Sequence, residues 1–377
     1  MPEITPVPLA DLTTLRVGGT PQRMIEATSR DELVAALREV WADDEPWLVV
    51  GGGSNLLVAD EQFEGAVVVV RTRGIERMPS PAGTVRLRIE AGHDWDDVVA
   101  HAVARGWAGI EAMAGIPGTA GAAPIQNVGA YGQEIVQTLV EVDLLDHATG
   151  EVTRVPAADL GLGLRTSVLK NHYGSEAERH AVVLSVTLEL ADVGTGEVPV
   201  RGAQLRQALG LPDDAHASLA GIRDTVLRTR AGKGMVLDPD DADTRSAGSF
   251  FQNPVVSAAF ARTLPEGCPR WPMAAAGRPD TVIALHEWDG QVPAPSAVEP
   301  DVKVSAAWLI ERSGLRRGFS LPRSRAGLST KHALALTNRG QASAGEIAEL
   351  ARFVRRRVES EFGLVLQPEP VLVGIDL

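Results

Sequence analysis

Cysteine is almost missing from this chain of 377 residues: Cys268 stands alone, so no disulfide can close within it. That points to a reducing compartment, and the cytoplasm is the expectation. Tyrosine occurs twice, and lysine only at Lys170, Lys233, Lys303 and Lys331, so arginine is the default cation. Aromatic residues make up 4% of the chain, which makes the adjacent pair Phe250-Phe251 conspicuous. Long apolar runs are absent too. The longest uncharged stretch, AMAGIPGTAGAAPIQNVGAYG, holds too much glycine, alanine and proline to cross a membrane, so no membrane insertion is expected. The opening MPEITPVPLADL has neither the basic nor the apolar segment of a secretory signal. None of the eight histidines falls in a ligand-like cluster, and no metal is expected. A net charge of −13 argues against general nucleic-acid binding. It also requires that cations be gathered locally if the ligand is an anion.

What is present reads as a soluble globular protein, 44% hydrophobic and 23% charged, long enough for two or three domains. The segment TSRDELVAALREVWAD predicts a helix. Ser29 is its N-cap and Glu32 completes a capping box, while Leu33, Leu37, Val40 and Trp41 share a face. PWLVV and GAVVVV read as buried strands, so the first ~75 residues form a small α/β unit. TVRLRIEAG alternates like a half-buried strand, HDWDDVVAHAVARG reads as a helix closing at Gly106, and EVDLLDHATGEVTRV predicts a hairpin turning near Thr149-Gly150. With the strand AVVLSVTLEL, these predict a mixed, largely antiparallel middle third, and an α+β chain. The last third carries two helices, VSAAWLIERSG and GEIAELARFVRRRVESEFG, then a proline-broken strand, GLVLQPEPVLVG. GQVPAPSAVEP is the candidate flexible loop.

Two glycine-rich loops carry the chemistry. VVGGGSNLL, from Val49 to Leu57, places three glycines after a buried strand, a geometry that points amides into a concavity and suits a phosphate. A plain tight turn is the alternative. A Rossmann fingerprint fails because Leu56 stands where the third glycine is required, and a P-loop fails because AGKGM puts Gly234 after the lysine. The second loop, GIPGTAGAAPIQNVGAYG, keeps small residues from Gly115 to Gly132 and so lets backbone press against a flat ligand. Gln126 and Asn127 can read polar edges, and Thr119 can donate to a phosphate. A packed loop between sheets is the alternative here. Together the loops point to one extended ligand, such as a dinucleotide, across the first two domains.

In this order, GGGSN, IPGTAGAAPIQNVGAYG, LRTSVLK, GSFFQNP and the glutamate of QPEP resemble the UDP-N-acetylenolpyruvoylglucosamine reductase family, from about Leu12 to Val373. The resemblance implies an FAD-binding fold of the vanillyl-alcohol oxidase-like type, two domains holding FAD and a third α/β domain binding a sugar nucleotide. It places these at 1–76 (completed by 370–377), 77–230 and 231–369. It implies a cytoplasmic, monomeric NADPH-dependent flavoenzyme of peptidoglycan synthesis, with NADPH and a UDP-sugar as its partners. The implied FAD contacts are the segment TLRVGG and Gly51, Gly52, Gly53, Ser54, Asn55, Leu56, Ile116, Pro117, Gly118, Thr119, Gly121, Gln126, Asn127, Gly129, Ala130 and Tyr131.

The same resemblance implies three catalytic residues. Arg165 would pair with the substrate carboxylate, a partner its planar fork suits. Ser249 would deliver a proton to carbon, with Phe250 and Phe251 positioning its loop and excluding water. Glu369, held stiffly between Pro368 and Pro370, would sit opposite Arg165. Arg228, Lys233, Asn253 and His332 match substrate-contact positions. One departure stands out: where a branch of the family carries a gating tyrosine, this chain reads VPVRGAQL, with Arg201 or Gly202 at that place. Rival readings are an FAD oxidase on the same fold and a non-catalytic sugar-nucleotide binder. Neither needs Arg165, Ser249 and Glu369 together.

Overall fold

The computed structural model describes residues 3–200, 202–213, 215–273 and 299–377. Residues 290–298 of the candidate flexible loop, and Arg201, lie outside them.

The run of four valines at Val67–Val70 is apolar throughout because the strand Phe63–Val70 is covered on both faces. It is the middle of a three-stranded parallel sheet, flanked by Pro21–Ala27 and Trp47–Val50. Val68 and Val70 face the helix Arg30–Ala42, through Leu33, Leu37 and Val40. Val67 and Val69 pack with Leu9, Met24 and Val50 on the other side. The helix starts as its sequence predicts: Ser29 accepts from the Glu32 amide, and the Glu32 side chain returns to the Ser29 amide.

The middle of the chain builds an antiparallel sheet in the order Val152–Pro156, Leu139–Asp146, Ala181–Asp192, Thr84–Glu90, Ile75–Met78. Thr84–Glu90 alternates buried and half-buried residues, as its sequence alternates valine, leucine and isoleucine with arginine. One face packs on the helices Trp95–Val103 and Leu219–Ala231. The hairpin turns at Gly150, whose φ of 66° is the left-handed conformation glycine adopts without strain.

The last core gathers the helices Ala306–Arg312 and Ala344–Phe362 around Phe250 and Phe251, which are 0% and 1% exposed. Burying each ring stabilises the fold by about 1.5–3 kcal/mol. The two rings meet edge to face, with centroids 5.1 Å apart. Leu15, Val17 and Leu57 from the start of the chain join this core. Only Val371–Val373 of the terminal segment forms a strand, and it pairs in parallel with Leu56–Val58. The chain therefore returns at its end to the first glycine loop.

Candidate active site

The two glycine loops lie face to face. A Cβ on Gly52 would come within 2.7 Å of the Gly118 Cα, and one on Gly51 within 2.5 Å of the Thr119 Oγ1. Side chains would therefore fill the gap that glycine leaves open. Side-chain bonds fasten the loops together: Ser54 Oγ donates to Pro117 O at 2.9 Å, and Asn55 Nδ2 to Gln126 Oε1 at 2.8 Å. The backbone amides of Gly52, Gly53, Ser54, Gly118 and Thr119 have no hydrogen-bond partner among the described residues. Together they form a nest of donors that suits an anionic diphosphate.

A cavity of about 620 Å³ runs along these loops, within the size range of cofactor sites. Trp47, Leu48, Val49 and Val182 give it an apolar stretch of wall suited to a flat ring. Arg165, Ser249 and Glu369 line it too. The residues present thus fit FAD on three counts: an apolar stretch of wall, unpaired amides and small residues throughout.

Arg165 and Glu369 form an ion pair, Nε to Oε1 at 3.2 Å. Arg165 also donates from Nη2 to Gly129 O at 3.1 Å, and its backbone has the left-handed φ of 56°. Asn127, whose carbonyl accepts from Arg165 Nη1 at 3.5 Å, shares that unusual conformation at φ 45°. Ser249 reaches the cavity because its neighbours are pinned. Phe250 donates its amide to Leu334 O at 2.8 Å, and Thr14 Oγ1 donates to Ser246 O at 2.6 Å. The serine and glutamate segments are joined directly, since the Glu369 amide donates to Phe250 O at 2.9 Å and Phe251 bridges Pro368. Burial pushes the Glu369 carboxyl above the usual range, while Arg165 and Lys170 pull it back.

The remaining predicted residues divide. Gly51, Gly52, Gly53, Ser54, Asn55, Leu56, Ile116, Pro117, Gly118, Thr119, Gly121, Gln126 and Gly129 all line the cavity. Asn127, Ala130 and Tyr131 do not, and neither does the TLRVGG segment. The buried Asn127 side chain donates to Gly163 O at 2.9 Å and to Glu134 Oε2 at 3.0 Å, which fixes the loop that presents Arg165. Tyr131 belongs to a second cluster, with the Lys233 ammonium 5.8 Å from its ring centre. His332 is close enough to feel Lys233 and Arg317, and burial with those cations lowers its imidazole to about 4. Asn253 also serves the fold, its Oδ1 accepting from the Ala306 amide at 3.0 Å. Arg228 is exposed and bonds within its own helix, to Thr225 Oγ1 at 3.0 Å.

Arg230 is the residue of that helix that lines the cavity; the sequence reading places it only in a positive patch with Arg228, Lys233 and Lys331, not at the cofactor. It lies four positions after the buried Val226, so helical phase was the available signal. Its Nε is buried without a partner and its Nη2 donates to Met235 O at 2.9 Å. Lys170 was missed too, although it is 3% exposed and lines the same cavity. Gly202 is one of the two residues expected where a branch of the family carries a tyrosine, and Arg201 lies outside the described residues. A Cβ on Gly202 would strike Tyr131 O at 2.4 Å, so no side chain fits at that residue.

Comparisons with known proteins give the chain its relatives. A family model described as FAD binding domain matches residues 21–156, and the C-terminal domain model of UDP-N-acetylenolpyruvoylglucosamine reductase matches residues 238–373. The chain is 52% identical to the UDP-N-acetylenolpyruvoylglucosamine reductase of Leifsonia xyli subsp. xyli, over 99% of both chains. It is 47% identical to that of Saccharopolyspora erythraea, over 98% of this chain and 95% of the relative. A crystal structure of the reductase from Thermus caldophilus covers 99% of both chains with a TM-score of 0.60 at 24% identity, a likeness of fold.

Proposed function

The chain belongs to the UDP-N-acetylenolpyruvoylglucosamine reductase family, and on that premise we propose how its residues divide the work. It is an FAD-dependent oxidoreductase that reduces UDP-N-acetylenolpyruvoylglucosamine in peptidoglycan synthesis. The observation that carries the residue assignment is the meeting of Arg165, Ser249 and Glu369 in one cavity with both glycine loops.

The amides of Gly52, Gly53, Ser54, Gly118 and Thr119 would hold the FAD diphosphate, and the wall at Trp47 its adenine. When bound, FAD supplies hydride transfer, from NADPH to the methylene carbon of the enolpyruvyl ether. Arg165 binds the substrate carboxylate and meets the negative charge left on the neighbouring carbon. Ser249 Oγ–H gives that carbon its proton, which balances the addition of one hydride and one proton across the double bond. A hydroxyl is a weak acid, but the carbanionic carbon is a strong base, so placement outweighs acidity. Glu369 holds the Arg165 fork in register. Phe250 and Phe251 fix the Ser249 loop from the core behind it; neither lines the cavity, so the water exclusion expected of them falls to other residues.

Lys233, with Arg230 and Arg317 close by, gives the local positive charge that a UDP-sugar requires on a chain of net charge −13, while His332, lowered to about 4, meets the ligand as a neutral ring. The working units are 1–76 with 370–377, 77–230 and 231–369, supported by a core whose buried members all lie between Val85 and Val226 and by the terminal strand's return. No helix among the described residues is long and apolar enough to cross a membrane. A monomer acting in the cytoplasm is the reading adopted. The test is anaerobic: NADPH should bleach the yellow protein, and the enolpyruvyl sugar nucleotide should restore the colour. Protein that binds no FAD, or that the substrate cannot recolour, would overturn the assignment.

A further inference from the structure

Donors from two distant segments converge on one main-chain oxygen. Lys170 Nζ donates to Glu369 O at 2.9 Å, and Asn55 Nδ2 reaches the same oxygen at 3.4 Å. Both donors also bond Gln126 Oε1, at 3.4 Å and 2.8 Å, so a fourth segment is tied into the knot. The buried ammonium has no ion-pair partner among the described residues, its nearest acceptor being that carbonyl. A buried charge without a carboxylate partner is a poor structural filler, since an apolar side chain of the same length would pack there without desolvation. Its retention beside the reacting centre calls for a role.

We infer that Lys170 is a positioning residue for Glu369: its ammonium clamps the Glu369 main chain, holds the carboxylate against Arg165 and sets the charge balance of that pair. This rests on the placing of Glu369 and Arg165 at the reacting centre above. The charged groups around Lys170 are the Glu369 carboxyl, which favours its ammonium, and Arg165, which opposes it. His172 also feels Lys170, and its ring shares a hydrogen bond with Thr166 Oγ1 at 2.9 Å. Burial lowers the Lys170 ammonium to about 8. Lys170 in turn is one of the two cations that pull the Glu369 carboxyl back down.

The sign follows for a lowered base: Lys170 is charged below about 8 and loses its proton as pH rises through that value. The test measures, for FAD-loaded protein, the pH profile of reoxidation by the enolpyruvyl sugar nucleotide. The parent should lose activity above about pH 8. Lys170→Met should lower the rate by about 10²-fold, the cost of an ångström-scale misplacement. It should also abolish the limb near pH 8 and move the acidic limb upward, because Glu369 loses one of its two cations. Lys170→Arg keeps a permanent charge and should move the alkaline limb up while recovering part of the rate. Should the methionine variant not fold, the arginine variant decides alone, and an alkaline limb left in place overturns the inference. A methionine variant with the parent's profile overturns it as well. Glu369→Gln, run alongside, separates the two claims: if that variant keeps full rate, the Glu369 assignment itself fails. If only the glutamine variant is impaired, Lys170 alone is misassigned.

Discussion

Gly52→Ala measures how tightly the cofactor cradle is closed. The new methyl would lie 2.7 Å from the Gly118 Cα and 3.2 Å and 3.3 Å from its carbonyl carbon and nitrogen. Carbon atoms rest at about 3.5–4.0 Å, so the two loops must part by roughly 1 Å. Both contacts are backbone, which cannot swing away like a side chain. Gly52 does not have the positive φ that penalises alanine, so the cost is steric alone. Overpacking of this kind costs about 1–3 kcal/mol. The share of that cost felt only when the loops must close on FAD weakens its binding, by up to about 150-fold where all of it is. The assay titrates apoprotein into FAD and follows the flavin fluorescence. Gly267→Ala, where a Cβ meets no atom within 4 Å, is the control and should leave the Kd alone. A Gly52→Ala protein that binds FAD as tightly as the parent would refute the claim that these facing loops hold the cofactor.

Two further outcomes follow. Arg165→Lys keeps the charge but gives up the fork that spans Gly129 O and Glu369, so steady-state kinetics should show kcat lowered by about 10–10²-fold and KM for the enolpyruvyl substrate raised; unchanged constants would contradict the role given to the guanidinium. Asn253→Ala removes the acceptor of the Ala306 amide and should cost about 1 kcal/mol in thermal unfolding, whereas a large rise in substrate KM with no loss of stability would place its role in the binding site alone.

Local features were readable in advance because their causes are local. The Ser29 capping box, the Gly150 turn and the alternation through Thr84–Glu90 each follow from residues within a few positions of one another. The glycine loops were visible as composition, but not that Gly52 would press on Gly118, since that contact depends on how two sheets meet. Arg228 drew attention as a motif match, yet helical phase turns it outward and Arg230 inward. Asn253 matched a substrate position while its carbonyl oxygen serves the helix that begins near Ser305. Lys170 was noticeable as a rare lysine. Its role was hidden because its partner is a backbone carbonyl 199 residues away, which no side-chain pattern can announce.

The central claim is that a hydroxyl in this cavity protonates the carbon that receives the hydride. The direct measurement is anaerobic stopped-flow reoxidation of NADPH-bleached Ser249→Ala by the enolpyruvyl sugar nucleotide, beside the parent. Loss of a positioned proton donor should slow that step by about 10²–10⁴-fold, well beyond any change in the bleaching step. Reoxidation at the parent's rate would show that the proton comes from another group.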